Sequence, residues 1–237
     1  MVLPSDIERV VDQKVYIPAL KRWFWGEMRR LTSLPSAPAT GLLMGCPLYA
    51  LTKEDGTRDE DFIDRFFFFC LPSILAKRNA AVLQGNCTIV IATDEGSYER
   101  FWLMRRKLRQ NHGIDCQIVI IPDDIMALVN DRPLNKYWLL GTVQQLLLQM
   151  AASAGQGFHM LMPDHIYSHA YFENLFRLSI QDGFEGLAQT GISADIEGVL
   201  PELEQYRTDS GALEIPDVDL GDMGYRHLHK QISHQLC

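Results

Sequence analysis

The chain has 237 residues, 47% of them hydrophobic, and its 22 Lys and Arg against 30 Asp and Glu give a formal net charge of -8. This length suits one large domain or one domain with an appendage, and the composition excludes a disordered chain. The acidic balance disfavours sequence-independent binding to a nucleic-acid backbone, so we expect no nucleic-acid partner. A small anionic ligand remains compatible, because a local pocket can oppose the charge of the whole chain.

The cysteines and the apolar runs indicate the cellular compartment of the protein. None of the cysteines shows CxxC spacing, and those inside apolar runs are typical of reduced, buried thiols. The N-terminal sequence turns polar at once, and no apolar run is long enough to span a bilayer. We therefore expect a cytoplasmic protein without a signal peptide or a transmembrane segment.

Residues 1–64 differ from the rest and are interpreted as a helical or irregular N-terminal extension. Their first half has an amphipathic helical pattern that includes the aromatic cluster Trp23-Phe24-Trp25, and residues 34–41, LPSAPATG, are typical of a loop or linker. The aromatic cluster fits either burial in the core or a surface that binds a protein partner.

From Arg65 onward, predicted strands and helices alternate. Apolar runs predict buried strands at residues 65–75, 87–95, 116–124 and 159–164, with a fifth at residues 184–193. Helical patterns lie between them, including residues 97–112, 134–155 and 168–183, where Ser97 and Ser168 are the expected N-caps. Strands that are apolar on both faces and alternate with helices describe an α/β fold, a mostly parallel sheet flanked by helices. We place this region at residues 65–200 and a C-terminal tail or flap at residues 201–237.

Three predicted strands end in acidic residues, and ligands of open α/β sheets bind beyond the carboxyl ends of the strands. Acidic residues also cap helices and populate turns, which is the ordinary explanation for Asp94-Glu95 and for Asp123-Asp124.

The segment GFHMLMPDHIYSHAYFE at residues 157–173 is different, because Asp164 is followed by two histidines, His165 and His169, four residues apart. On one helical turn these imidazoles would share a face and contact one metal or one phosphate.

Several common catalytic motifs are missing from the sequence. It has no GxxxxGK[ST] loop, no GxGxxG after a strand, no GxSxG and no HExxH, which disfavours a P-loop NTPase, a standard dinucleotide-binding domain, an α/β-hydrolase and a zincin. The tail RHLHKQISH fits either a solvated helix face or a flap that brings positive charge to a phosphate or a ligand to a metal.

Three segments, FFFFCLPSILAKRNAAVLQ, IVIATDE and HMLMPDHIYSHAYFENLF, resemble strand regions of bacterial glycosyltransferase-like sequences with the GT-A, or nucleotide-diphospho-sugar transferase, fold. The resemblance covers about residues 65–195. It implies a Rossmann-like GT-A architecture that transfers a sugar from a nucleotide-diphospho-sugar donor to an acceptor that the sequence does not identify. In that family a short acidic motif, usually Asp-x-Asp, holds a divalent metal that bridges the donor phosphates.

Carried to this chain, the resemblance implies that Asp164 faces the metal or the sugar-phosphate. It assigns five residues to the nucleotide pocket: Pro72, Ser73, Asn79, Thr93 and Asp94. It also assigns His227 or His229 to the metal shell, to which the histidine spacing adds His165 and His169. Asp195 and Glu197 follow the predicted fifth strand, where the base that deprotonates the acceptor would lie.

The chain departs from the family pattern at the acidic motif. His165 and Ile166 follow Asp164, so no second carboxylate completes a site for Mn²⁺ or Mg²⁺, which prefer oxygen ligands. A single carboxylate would hold Mn²⁺ or Mg²⁺, the expected cofactor, only weakly unless the donor phosphates supply most of the ligands. The alternatives are a metal-independent site, with imidazole, Arg or Lys neutralising the leaving diphosphate, and an inactive one. Two other readings stay open: a binding or scaffold protein that keeps the transferase-like sheet, and an unrelated α/β enzyme that binds zinc through its histidines.

Overall fold

The computed structural model of the chain describes residues 18–30, 41–130, 135–183 and 191–229. The chain divides into two compact units. The first unit comprises residues 1–64 and 85–163, and the second comprises residues 65–84 and 164–237.

The strands belong to the first unit. In chain order they are β1 (Leu42–Pro47), β2 (Leu51–Thr52), β3 (Arg58–Asp59), β4 (Cys87–Asp94), β5 (Asp115–Ile121) and β6 (Gly157–Met160). Four of them form a parallel sheet in the order β5-β4-β1-β6, and β2 and β3 form an antiparallel hairpin. Leu42 at the start of β1 lies opposite Cys87 on one side and Gly157 on the other.

The helices alternate with the strands. They are α1 (residues 18–30), α2 (Asp61–Arg65), α3 (Leu71–Ile74), α4 (Lys77–Leu83), α5 (Tyr98–Lys107), α6 (Asp123–Asn130), α7 (Asn135–Ala154), α8 (Tyr171–Phe176), α9 (Ile196–Leu203) and α10 (Asp217–Arg226). π-helical turns follow α2, α5 and α8 at Phe66–Cys70, Leu108–His112 and Arg177–Gln181, and 3₁₀ turns form at Glu95–Ser97 and Glu204–Tyr206.

A large apolar core in the first unit joins the sheet to α1, α6 and α7. In α1, Trp23 and Phe24 are buried in this core, whereas Trp25 is 55% exposed. The inner strand β1 contains Gly45, where a Cβ atom would lie 2.9 Å from the Leu147 side chain of α7. The missing side chain therefore lets α7 pack closely on the centre of the sheet.

The α/β class predicted from the sequence is confirmed, since a parallel sheet alternates with helices. The predicted strands at residues 87–95 and 116–124 correspond to β4 and β5, and β6 ends earlier than predicted, at Met160. Strand β1 was not predicted and lies within residues 1–64. Its sequence, LLMGCP, contains Gly and Pro, which are both depleted in strands.

The prediction of a strand at residues 65–75 is wrong, because this segment is helical. Over residues 63–70 the buried residues recur at helical spacing, at Ile63, Phe66, Phe69 and Cys70, while Phe68 is 59% exposed. Four consecutive phenylalanines hide this period, and a short apolar run alone does not distinguish a strand from a buried helix.

Two further predictions concern the chain after β6. The helix expected to start at Ser168 begins at Tyr171, with Ala170 at its N-cap and no side-chain cap. Residues 184–190 of the predicted fifth strand lie outside the described residues, and residues 191–193 are not in a strand.

The second unit has its own apolar core, formed around Phe69, α9 and α10. In the part of the chain that the structure describes, no single helix is both long and apolar enough to cross a membrane. The bent pair Asp61–Ile74 and Lys77–Leu83, which meet at 81°, passes this test by length and composition only.

Candidate functional site

Asp94, the last residue of β4, is a buried carboxylate that accepts four hydrogen bonds in the first unit. Its Oδ2 accepts from the Ala50 backbone N–H at 2.8 Å and from Ser97 Oγ at 3.0 Å. Its Oδ1 accepts from Arg58 Nη2 at 2.8 Å and from the Ser97 backbone N–H at 3.1 Å. Asp94 thus fastens the loop after β1 and the β2–β3 hairpin to the end of β4.

The partners of Asp94 keep it ionised. Burial raises the pKa of its carboxyl group, but the hydrogen bond from Ala50 and the hydrogen bond and charge of Arg58 outweigh burial, so the pKa lies below its ordinary value. Gly96 makes room for the guanidinium, since a Cβ atom there would lie 2.7 Å from Arg58 Nη1. The predicted nucleotide contact of Asp94 is not tested by this geometry and stays a prediction.

Thr93 precedes Asp94 and is fully buried. Its Oγ1 makes no hydrogen bond within the described residues. A buried hydroxyl without a partner is costly, but a hydroxyl at this depth does not by itself indicate a ligand. The predicted nucleotide contact of Thr93 also stays a prediction.

The strand order reverses between β1 and β6, and backbone hydrogen bonds next to the strand ends tie the chain after β6 to β1 and the chain after β1 to β4. The Leu161 N–H donates to the Gly45 carbonyl at 2.8 Å, and the Leu48 N–H donates to the Ala92 carbonyl at 2.8 Å. Tyr49 follows β1 at this edge, and burial raises the pKa of its phenol, so the hydroxyl stays protonated. In open α/β sheets this reversal is where ligands bind.

Asp164, His165 and His169 begin the second unit. Asp164 and His165 are exposed, and His169 is half-buried. The chain from residue 165 to 168 has no helical structure, so the helical turn on which His165 and His169 would share a face does not form. The His169 backbone N–H donates to the Ile215 carbonyl at 2.8 Å, which fixes this segment to the chain before α10.

Ser73 and Asn79 hold the segment that follows Asp164. Ser73 Oγ donates to the Cys70 carbonyl and accepts from the Tyr167 N–H at 3.0 Å. Asn79 Nδ2 donates to the carbonyls of Ser73 and Ser168, and its Oδ1 accepts from the Phe172 N–H at 3.0 Å.

Both side chains are fully buried, so their polar atoms act on the backbone of residues 167–172. Pro72 is buried at the start of α3, and its carbonyl accepts from the Leu213 N–H. The predicted roles of Pro72, Ser73 and Asn79 at a nucleotide pocket stay predictions. The geometry adds that Ser73 and Asn79 position the loop between Asp164 and α8.

Asp195 and Glu197, the predicted acceptor bases, lie at the start of α9. Asp195 is the half-buried N-cap residue, and Glu197 is exposed in the first turn. The Asp195 N–H donates to the His227 carbonyl at 2.7 Å, beside an antiparallel bridge between Ala194 and Leu228. The structure therefore brings predicted Asp195 next to the histidine tail, and their roles stay predictions.

His227 is engaged with an acid of α9. Its Nε2 lies 2.6 Å from Glu202 Oε1, and Arg226 contacts the other Glu202 oxygen. The hydrogen bond from His227 and that from Arg226 lower the pKa of Glu202. Gly198 lies against the imidazole, since a Cβ there would be 2.5 Å from His227 Nδ1. His229 is half-buried, and its N–H donates to the Ser193 carbonyl.

The predicted metal ligands do not form one group. Within the described ranges, no three His, Cys, Asp or Glu side chains are grouped so that they could hold a metal ion. The described residues therefore offer no set of three ligands for Mn²⁺, Mg²⁺ or zinc, and the predicted metal ligation stays a prediction.

Three residues were not predicted, two in the first unit and one in the second. Arg58 binds Asp94, Glu202 binds His227, and Tyr49 follows the inner strand. Sequence separations of 36 and 25 residues conceal the first two pairs. The ten-residue run LLMGCPLYAL is the signal that would have indicated β1 and therefore Tyr49.

Comparison with family models, with curated proteins and with solved structures found no match to this chain.

Proposed function

We propose that this chain binds a nucleotide-diphospho-sugar at the carboxyl edge of its parallel sheet and transfers the sugar to an acceptor. One observation carries the proposal: the strand order β5-β4-β1-β6 reverses between β1 and β6. Nucleotides bind outside the carboxyl ends of the strands at such a reversal. The resemblance of three sequence segments to GT-A glycosyltransferase-like sequences supplies the donor class.

Hydrogen bonds within the first unit hold the proposed donor-binding edge in place. Asp94 and Arg58 hold the loop after β1 in place, and the Leu161 N–H keeps the chain after β6 beside β1. A rigid edge reduces the free energy that ordering would cost when a ligand binds.

The proposal uses no metal, because the described residues offer no grouped ligands for one. Departure of a nucleoside diphosphate then requires positive charge from side chains. His165, which follows Asp164 in the chain and is exposed, is the imidazole that we assign to this task. Asp164 is assigned to hydrogen bonds with donor hydroxyls, since a carboxylate accepts from hydroxyls and repels phosphate. Asp195 or Glu197 remains the proposed base.

The test is a thermal-shift screen of the full chain with UDP-, GDP-, dTDP- and CMP-sugars, each with and without Mn²⁺. A true donor at 100 times its Kd adds about 2.7 kcal/mol to the free energy of unfolding. We expect a response to one diphospho-sugar group without Mn²⁺. A response that requires Mn²⁺ contradicts the metal-free form, and a response to CMP-sugars alone contradicts the diphosphate assignment.

A matched pair of variants tests Asp164. Asp164→Asn should weaken donor binding at least about 10-fold, the cost of a lost hydrogen bond to an ionised group. Asp209→Asn changes another exposed aspartate of the second unit and should leave binding unchanged. Equal donor affinity in both variants would remove Asp164 from the site.

A second candidate function is a binding or scaffold protein that keeps the transferase-like sheet without a working donor site. It is favoured by the engagement of Ser73, Asn79 and Asp94, the predicted nucleotide contacts, in hydrogen bonds inside the protein. The thermal-shift screen separates the two functions, because a scaffold protein should respond to none of the nucleotide-sugars.

A further inference from the structure

Two helices of the first unit concentrate positive charge in an acidic chain. Residues 18–30 and 98–112, which cover α1 and α5 with its π-helical turn, contain nine Lys or Arg and two acidic residues, whereas the whole chain has a net charge of -8. A basic surface on a chain of opposite net charge attracts an anionic partner by electrostatic steering.

Both helices pack on β5, the edge strand of the sheet. Trp23 Nε1 of α1 donates to the Ile120 carbonyl of β5 at 2.9 Å. α5 packs against β5 and β4, and Phe101 and Met104 on its inner face are buried. The inner faces of both helices are therefore occupied by the sheet, and their outer faces are exposed.

Each outer face carries large apolar side chains among its cations. Trp25 of α1 is 55% exposed, and in α5 Trp102 is 38% and Leu103 is 47% exposed. The guanidinium carbon of Arg106 lies 5.0 Å from the centroid of the Trp102 ring. We name the outer face of α5 the basic tryptophan surface: Trp102, Leu103, Arg105, Arg106 and Lys107.

We propose that the basic tryptophan surface docks on an anionic lipid bilayer. Lys and Arg near a negatively charged leaflet contribute binding free energy, and indole rings favour the boundary between headgroups and acyl chains. An exposed Trp-Leu pair flanked by cations has the composition of a helix that lies in this boundary.

The exposed Leu103 favours lipid over nucleic acid as the partner. A single-stranded nucleic acid offers phosphates to the cations and bases to the indoles, but it offers an aliphatic side chain no matching group. A bilayer receives the leucine in its acyl region. The proposal is independent of sugar transfer and stands or falls separately.

The experiment is co-sedimentation of the full chain with vesicles. Phosphatidylcholine vesicles containing about 30 mol % phosphatidylglycerol should retain the protein, and pure phosphatidylcholine vesicles should not. Binding should weaken as salt rises from about 0.05 M to 0.5 M, because salt screens exposed charges. Equal binding to both vesicle types, or no binding to either, would overturn the proposal.

A pair of double variants locates the surface. Arg106→Glu with Lys107→Glu should weaken binding to anionic vesicles at least about 30-fold, from about 1 kcal/mol for each cation. Arg177→Glu with Lys77→Glu makes the same charge change in the second unit and should leave binding within about 3-fold. Equal losses in both pairs would mean that net charge, and not this surface, governs binding.

A third double variant tests whether apolar side chains insert into the bilayer or charge alone accounts for binding. Trp102→Ser with Leu103→Ser keeps every cation and should reduce vesicle binding at least about 10-fold, with helix content checked by circular dichroism. An unchanged affinity would overturn insertion. Binding of the natural chain to a single-stranded oligonucleotide more tightly than to anionic vesicles would assign the surface to nucleic acid instead.

Discussion

Each unit of the molecule contains a buried polar side chain with several hydrogen bonds that fasten a loop, and these two side chains differ in charge. In the first unit, Asp94 accepts hydrogen bonds from two backbone N–H groups, a guanidinium and a hydroxyl. In the second, Asn79 donates to two carbonyls and accepts from one N–H. The carboxylate and the amide have similar sizes and shapes.

The difference follows from the groups that each side chain must satisfy. An ionised carboxylate only accepts, so it fits a site where every neighbour is a donor. An amide both donates and accepts, so it fits a site with two carbonyls and an N–H. We call Asp94 the charged anchor and Asn79 the neutral anchor. The stabilising effect of the charged anchor depends on pH and on Arg58, whereas the amide of the neutral anchor does not titrate.

The largest effect is expected from breaking the neutral anchor. Asn79→Ala leaves the Ser73 and Ser168 carbonyls and the Phe172 N–H without this partner in a buried site, so we expect a loss of about 3 kcal/mol or more in the free energy of unfolding. Urea denaturation measures it. Asn174→Ala changes an exposed asparagine of the same unit and should stay within about 0.5 kcal/mol. Similar losses in the two variants would show that Asn79 is not an anchor.

Removal of the cation from the charged anchor should have a smaller effect. Arg58→Met leaves Asp94 with its three other hydrogen bonds, and the Arg58 side chain is 43% exposed, so water replaces part of the interaction. We expect a loss of about 1–2 kcal/mol, below the 3–5 kcal/mol of a fully buried pair.

The control for Arg58 is Arg78, which pairs with Glu173 at the surface with both side chains exposed. Arg78→Met should change the free energy of unfolding by no more than about 0.5 kcal/mol. A cost for Arg58→Met as small as that for Arg78→Met would mean that the anchor does not need its guanidinium.

The smallest expected effect is a difference between the two anchors in how their contribution to stability depends on pH. The pKa of Asp94 is lower in the folded than in the unfolded chain, so its contribution is present above the ordinary aspartate pKa of about 3.9. That contribution is lost as the pH falls from this value through the folded-state pKa, because the unfolded chain binds the proton first.

Thermal melts between about pH 3 and pH 6 should therefore show a shallower acid slope for Asp94→Asn than for the natural chain. Asn79→Ala should keep the natural slope at lower overall stability. Identical slopes in the natural chain and in Asp94→Asn would show that Asp94 does not contribute to acid sensitivity.

The fold class followed from the sequence, but one strand and one helix did not. β4 and β5 are continuous runs of β-branched and apolar residues, as in CTIVIATD, and such runs indicate buried strands. β1 contains Gly45 and Pro47, which argue locally against a strand, and its pairing with two neighbours outweighs that preference. Conversely, FFFFC has a strand-like composition, and packing of one face makes it helical.

The residues of the candidate site were likewise only partly indicated by the sequence. The end of β4 and the residues after β6 were indicated by polar residues that follow apolar runs. The partners of these residues were not indicated, because Arg58 and Glu202 lie far along the chain from Asp94 and His227. The histidine pair was predicted from helical spacing, but the backbone between His165 and His169 is not helical.

The sequence alone determined that the chain forms strands and helices in alternation, because hydrophobic runs and glycine stops are local properties of neighbouring residues. Only the tertiary structure decided which strand lies at the centre of the sheet, where its order reverses and which donor faces each buried acceptor. These features depend on residues brought together from distant parts of the chain, and burial makes a polar group costly when it lacks a hydrogen bond.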